Sequence, residues 1–215
     1  MAVKRIDAAA FIDWQAQLIN SGAIANPLPL RAAQSALKFV SEQIASMLSE
    51  LDSRSHFVVE MKLYHGWHRG LTPTESYAAV RDIMAERMAP QRVGRITYDW
   101  RQPFGCVLTD ASAHRLHRIL RVHLPNTLRA GIEDTVLREK MIDTALTCDV
   151  LSSARWNPED VRLILAEDDD VVPSAFVAEK WAKERGGRTF IMRKRAAPEF
   201  LNLQGIFRQM EIYDA

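Results

Sequence analysis

Acidic residues stand where two apolar segments of the chain end. The segment VRLILA runs into four consecutive acids at 167–170, and an earlier apolar segment ends in Asp13. Carboxylates this close raise one another's pKa unless a cation or a basic neighbour compensates them. In an extended segment Asp168 and Asp170 point to the same side. Such a cluster of hard oxygen ligands suits Mg²⁺ or Mn²⁺, ions that activate water and stabilise charge in phosphodiester cleavage.

A helical pattern over residues 134–154 contains two further acids, Asp143 and Asp149, six residues apart. Six residues correspond to about 240° around an ideal helix, so both can address one ion only if the helix begins near Asp143. Lys140 lies one turn earlier and is placed to meet a phosphate or to balance the acids. A solvated surface is the competing interpretation for these acids and for the run at 167–170.

A basic stretch is the first candidate for contact with nucleic acid. Residues 114–123, HRLHRILRVH, contain three Arg and three His and no acid. If the stretch is helical, Arg118 and Arg121 share a broad face, and together with Arg115 they could contact phosphates. A second basic cluster lies between residues 185 and 195. For both clusters the alternative is a solvated, charge-balanced face.

The loop YHGWHRG, residues 64–70, is the second candidate. An aromatic ring and an Arg can stack on an unpaired base, which makes Trp67 and Arg69 candidate nucleic-acid contacts. Its two histidines have no convincing third ligand, so zinc is not expected. A packed loop is the alternative.

Strands and helices alternate along the chain. We predict strands over 5–13, 56–64, 94–99, 104–109, 161–166 and 188–193, and helices over 14–21, 30–52, 72–88, 134–154 and 173–187, with a short helix from Pro198. This alternation predicts an α/β fold with a mainly parallel sheet covered on both faces. Ligands bind outside the carboxyl ends of such strands, where Asp13 and the acids at 167–170 should meet.

Composition and missing motifs exclude several classes of protein. The 215 residues are 47% apolar and 26% charged, which favours one globular domain over a disordered or fibrous chain. No apolar run approaches the roughly 18 residues of a membrane span, and an acid comes too early for a secretory signal. Two cysteines without a CxxC pair indicate reduced thiols and a cytoplasmic protein. Walker, GxGxxG and GxSxG patterns are absent.

Three segments together resemble an NYN domain of the PIN-like nuclease superfamily: AFIDWQAQL, EKMIDTALTCDVL and VRLILAEDDDVVPSAFVAEKWAKERGGRTFIMR. In that family an apolar strand ends in Asp, and a Lys-Gly-x-Asp element opens a helix with a second Asp six residues on. A later strand ends in Ser-Gly-Asp-x-Asp-Phe, followed by Pro and a helix. The match is good over 134–193 and thin over 5–20. Its matching residues are Asp13, Lys140, Asp143, Asp149, Asp168, Asp170 and Pro173.

The resemblance implies a Rossmann-like three-layer α/β/α sandwich, with a single domain over 1–215 and a short C-terminal extension from about 196. It also implies a metal-dependent ribonuclease-type site acting on RNA rather than DNA. The residues implied to hold Mg²⁺ or Mn²⁺ are Asp13, Asp143, Asp168 and Asp170, with Asp149 as a further candidate.

Departures from the family pattern keep other functions open. Trp14 replaces a Gly, Ala16 falls on an Asn that Gln15 or Gln17 could replace, and Ala166-Glu167 replace Ser-Gly. A binding or scaffold module that has lost catalysis is therefore the main alternative, and a metal-dependent phosphatase is a weaker one. A homodimer is also an open alternative.

Overall fold

The computed structural model describes residues 3–69, 72–86, 89–101, 103–105, 142–195 and 205–210, with the backbone alone of four short strands between 115 and 139. Within this part of the chain, no helix is both long and apolar enough to cross a membrane.

The described chain has thirteen strands and five α-helices. The strands are β1 (Arg5–Asp13), β2 (His56–Tyr64), β3 (His68–Arg69), β4 (Thr72–Pro73), β5 (Gln91–Val93), β6 (Ile96–Asp99), β7 (Arg115–His117), β8 (Val122–Leu124), β9 (Leu128–Ala130), β10 (Leu137–Glu139), β11 (Val161–Leu165), β12 (Arg188–Arg193) and β13 (Phe207–Gln209). The α-helices are α1 (Trp14–Asn20), α2 (Pro29–Leu51), α3 (Glu75–Glu86), α4 (Ile142–Trp156) and α5 (Val172–Lys183), and 3-10 helices span Ala23–Ala25 and Asp169–Val171.

Seven strands form the central sheet, in the order β13-β12-β11-β1-β2-β6-β5. All neighbours are parallel except β5 and β6, which form an antiparallel hairpin. From β1 the chain adds β2 and β6 on one side, and later adds β11, β12 and β13 on the other. The crevice between the carboxyl ends of β1 and β11 is therefore the topological switch point, the usual ligand site of such sheets.

The first strand shows why the sheet is buried on both faces. Ala8, Ala10 and Ile12 pack into the core formed with α2 and α3, whereas Ala9 and Phe11 pack into the core formed with α4 and α5. A strand covered on both sides must be apolar at every position, which a run of small and apolar residues satisfies. The prediction of an α/β fold with a mainly parallel sheet flanked by helices is confirmed.

Two stretches contain strands where we predicted or considered a helix. The predicted helix over 134–154 begins only at Ile142, because β10 (Leu137–Glu139) pairs with β9 and β3 in a separate four-stranded sheet. The condition that HRLHRILRVH is helical is not met at residues 115–117 and 122–124, since β7 and β8 pair antiparallel there. In both places strand pairing with a distant or adjacent segment overrides local helix propensity.

Smaller differences concern hairpins and the tail. The predicted strand over 94–99 begins at Ile96, after a turn in which Gly94 has a φ of 61°. Phe104 forms an isolated parallel bridge to Leu63, and residues 106–109 lie outside the described part. Of the predicted helix from Pro198, the described portion forms β13, which extends the central sheet.

Candidate active site

Asp13 stands at the carboxyl end of β1 and at the start of α1. Its Oδ1 accepts a hydrogen bond from the backbone N–H of Ala16 at 3.2 Å, so the residue caps the helix. Burial, helped by the charges of Asp143 and Asp168, raises the pKa of Asp13 to about 6. A carboxyl group that titrates near neutral pH is typical of a functional site.

The acids after β11 form a turn, and they differ in their hydrogen-bond partners. Asp169 bonds to Arg193, whose Nη1 lies 2.5 Å from Oδ1, and this hydrogen bond holds the pKa of Asp169 below its usual value. Asp168 caps the 3-10 helix by accepting from the backbone N–H of Asp170 at 3.1 Å. The side chains of Asp168 and Asp170 are exposed, although the segment is a turn and not the extended run we expected.

Asp143 completes the group from the first turn of α4. Its pKa is raised by burial first, and then by the charges of Asp168 and Asp170. Asp143 and Asp168 therefore act on Asp13, while Asp168 and Asp170 act on Asp143, and we call these four residues the acidic edge. Within the described part of the chain, none of the four forms an ion pair with Lys, Arg or His.

The acidic edge fits a divalent cation by its chemistry rather than by a ready-made geometry. Mg²⁺ and Mn²⁺ prefer carboxylate oxygens, and a cation would reverse the mutual repulsion that raises the pKa of Asp13 and Asp143. Among the described residues, however, no three His, Cys, Asp or Glu side chains are grouped closely enough to hold an ion as they stand.

Asp149 lies apart from the acidic edge. It is buried, and its Oδ2 accepts a hydrogen bond from the hydroxyl of Tyr64 at 2.5 Å. Asp149 is not among the charges that raise the pKa of Asp13 or Asp143. Because it lies about 240° around α4 from Asp143, the structure argues against Asp149 as a ligand of the same ion.

The outcome differs among the predicted nucleic-acid contacts. Trp67 is fully buried against the rings of His65, Tyr77 and Phe104, so the expectation that it stacks on a base is wrong. Arg69 is exposed and lines a cavity. The remaining candidates are Arg115, whose backbone alone is described in β7, and Lys140, Arg118 and Arg121, which lie outside the described residues.

A groove of about 730 Å³ runs along the acidic edge, and two cations that we did not single out individually line it. Lys194 Nζ donates to the carbonyl oxygen of Asn20 at 3.1 Å, and Arg195 Nη2 donates to that of Glu167 at 2.9 Å. Asp13 and Asp168 line the same groove. The groove therefore offers carboxylates to a cation and basic side chains to an anion.

Glu167 joins two elements beside the groove. Its carboxylate accepts from the side chain of Asn20 at 2.9 Å and from the backbone N–H groups of Lys194 and Arg195, at 2.7 and 3.2 Å. It thereby ties the end of α1 to the end of β12. This structural role could not be inferred from the sequence, since the partners are 147 and 27 residues away.

The two glutamines of α1 have different environments. Gln17 is fully buried, and its Nε2 donates to the carbonyl oxygen of Leu165 at 3.2 Å, while its Oε1 has no hydrogen-bond partner among the residues that the structure describes. Gln15 is exposed and lines the groove. Of the two, Gln15 is the one that can contact a substrate.

Comparison with protein-family models, with curated proteins and with solved structures found no match to this chain. The case for a function therefore rests on the residues themselves.

Proposed function

We propose that this chain is a divalent-metal-dependent nuclease of NYN/PIN-like type that hydrolyses phosphodiester bonds, in RNA rather than DNA. The observation that carries the proposal is the acidic edge. At the switch point of the sheet, burial and the charges of neighbouring carboxylates from α4 and the turn after β11 raise the pKa of Asp13, and burial and the carboxylates of the turn raise that of Asp143. Such a concentration of negative charge is costly unless a cation binds.

Each residue of the site has a role in this proposal. Asp13, Asp143, Asp168 and Asp170 would hold Mg²⁺ or Mn²⁺, and the bound ion would supply an activated water and stabilise charge on the phosphate. Asp13 must lose its proton before it can hold the ion, so its raised pKa makes ion binding stronger as the pH rises through about 6.

The basic side chains of the groove serve the substrate. Lys194 and Arg195 lie beside Asp13 and Asp168, where they can neutralise the phosphates that flank the scissile one. They also relieve the repulsion between an anionic strand and the acidic edge. A polyanionic substrate is thus supported by the same groove that would hold the cation.

One observation favours the alternative of a binding or scaffold module without catalysis. No three potential metal ligands among the described residues are grouped closely enough for an ion. In that case the groove would bind a strand through its basic residues, and added metal would change neither stability nor the strand.

The test is cleavage of labelled single-stranded and duplex RNA and DNA in Mg²⁺, Mn²⁺ or EDTA. Asp13→Asn and Asp168→Asn remove carboxylates from the acidic edge. Asp7→Asn is the matched control, because Asp7 lies on the same strand as Asp13 but at its opposite end. We expect metal-dependent cutting of RNA by the parent and the control, with losses of 100-fold or more (~3 kcal/mol) in both edge variants. Equal cutting by Asp168→Asn contradicts the proposal.

A further inference from the structure

A second cavity, of about 900 Å³, adjoins the acidic edge. Gln15, two positions after Asp13, lines both this cavity and the groove, so the two are neighbours on either side of this residue. The loop after β2 and the start of α3 form the other walls. The side chains that matter are His65, His68, Arg69, Thr74, Glu75 and Ser76.

Buried contacts fix the cavity walls relative to the acidic edge. Trp14 directly follows Asp13, is fully buried, and donates from its indole Nε1 to the hydroxyl of Ser76 at 3.1 Å. Thr74 donates from its backbone N–H to the carbonyl oxygen of Trp67 at 2.9 Å. Trp67 is itself fully buried. A site built on such contacts is held in place before a ligand arrives.

The chemistry of the walls fits a neutral ring with hydrogen-bonding edges better than a bare phosphate. Arg69 and Glu75 bring opposite charges, so an anion attracted by one is repelled by the other. Burial lowers the pKa of His65 to about 4, which leaves a neutral imidazole at physiological pH. The amide of Gln15 and the hydroxyl of Ser76 add further polar groups.

Building on the proposed function, we infer that this cavity seats one unpaired nucleobase of the substrate strand, next to the phosphodiester at the acidic edge. Its volume lies within the range of small-ligand pockets, roughly 300–1,000 Å³. A base inside a duplex is stacked and its pairing edge is occupied, so only a single strand can place a base here. The substrate is therefore single-stranded nucleic acid.

The experiment measures binding rather than cleavage. Fluorescein-labelled single-stranded RNA is titrated with the Asp168→Asn protein, and its anisotropy is followed. A series of strands carries one abasic site at each position in turn, which removes a base and keeps every phosphate. We expect one position at which loss of the base weakens binding about tenfold, and much weaker binding of the duplex.

Substitutions in the cavity connect that effect to its walls. In the Gln15→Ala/Arg69→Met double variant, the abasic and intact strands should bind equally at every position. Arg81→Met is the matched control, because Arg81 is an exposed cation further along α3, and it should keep the tenfold difference.

The outcomes separate this inference from the proposed function. Equal binding of all abasic strands by the Asp168→Asn protein overturns the base seat, as does absence of any binding to single strands. A difference that survives the double variant overturns it as well. If the parent protein cleaves RNA but no abasic strand binds more weakly, only the nucleobase site in the cavity is refuted. If one abasic strand binds more weakly but the parent does not cleave, only the nuclease proposal is refuted.

Discussion

The two ends of the central strands both carry acidic residues, but they differ in the arginines that lie beside those acids. At the amino end, Asp7 pairs with Arg5 at 2.7 Å. Burial raises the pKa of Asp160 at this end, and the nearby positive charge of Arg162 opposes that rise. At the carboxyl end, the four residues of the acidic edge have no ion pair within the described part of the chain. Both ends are rich in carboxylates, so the difference lies in the cations that accompany them.

The contrast identifies which acids the fold itself requires. Arg162 is fully buried and donates to the carbonyl oxygens of Ser153 and Asn157, so its charge is part of the folded core. No comparable cation was found for the acidic edge among the described residues. Acids that have no cation partner among the described residues, and whose charges add to the effect of burial in raising the pKa of Asp13 and Asp143, indicate a ligand from outside.

Substitution of Arg193 should have the largest effect on stability. Arg193 pairs with Asp169, and this partner distinguishes Asp169 from the four acids of the acidic edge. It is fully buried, and it bonds to the Asp169 carboxylate and the Asp168 carbonyl oxygen. Arg193→Met should lower the free energy of unfolding by about 2–4 kcal/mol, since a fully buried guanidinium then loses its hydrogen bonds to the Asp169 carboxylate and the Asp168 carbonyl oxygen. Arg195 meets the same carboxylate at 3.4 Å but is exposed, so Arg195→Met should cost under about 1 kcal/mol. Equal losses in urea denaturation contradict this division.

The second prediction concerns pH. The pKa of Asp13 rises from 3.8 unfolded to about 6 folded, so the folded protein holds the proton more tightly. Stability contributed by that proton is full at low pH and is lost as the pH rises from about 4 to 6. Asp13→Asn keeps the helix cap and removes the charge, so it should stabilise the protein at pH 7 by about 1–3 kcal/mol and by much less at pH 4.

Asp7→Asn is the control for that measurement. Asp7 is exposed and paired with Arg5, so its substitution should change the free energy of unfolding by under about 1 kcal/mol at either pH. If Asp13→Asn instead destabilises the protein at pH 7, then the Asp13 carboxylate has a stabilising partner at neutral pH. The two ends of the strands would then not differ in the way described.

The third prediction concerns the effect of metal on the melting temperature. At roughly 100-fold excess over its dissociation constant, Mn²⁺ should stabilise the parent by about 2.7 kcal/mol, or about 5 °C or more. Asp168→Asn should lose most of this shift, whereas Asp160→Asn, at the amino end, should retain it. A shift of the same size in all three proteins would place the ion elsewhere.

The distribution of apolar residues within each separate segment was enough to predict most of the fold. The strand β1 is apolar from Ala8 to Ile12, and β11 is apolar except at Arg162, because both faces of the sheet are covered there. The acids that follow these two strands lie at the same edge because the strands are parallel. The strands β7, β8 and β10 were missed, because segments of three residues carry too little periodicity to outweigh helix propensity.

The candidate site was predicted less completely, for a physical reason. Residue type and position indicated Asp13, Asp143 and Asp168, but the sequence does not show which acid has a cation partner. Asp169 is paired by Arg193, 24 residues later, and this contact exists only once β12 lies beside β11. Trp67 shows the same limit, since its burial among distant rings is a property of packing.

The most direct test is calorimetric titration with Mn²⁺ of the parent, Asp168→Asn and Asp7→Asn, in two buffers of different ionisation enthalpy. At pH 6 the parent and Asp7→Asn should bind the ion and release a fraction of a proton from Asp13. Asp168→Asn should bind at least about tenfold more weakly (~1.4 kcal/mol). Unchanged binding by Asp168→Asn, or no binding by the parent, would contradict the claim that the acidic edge is a metal site.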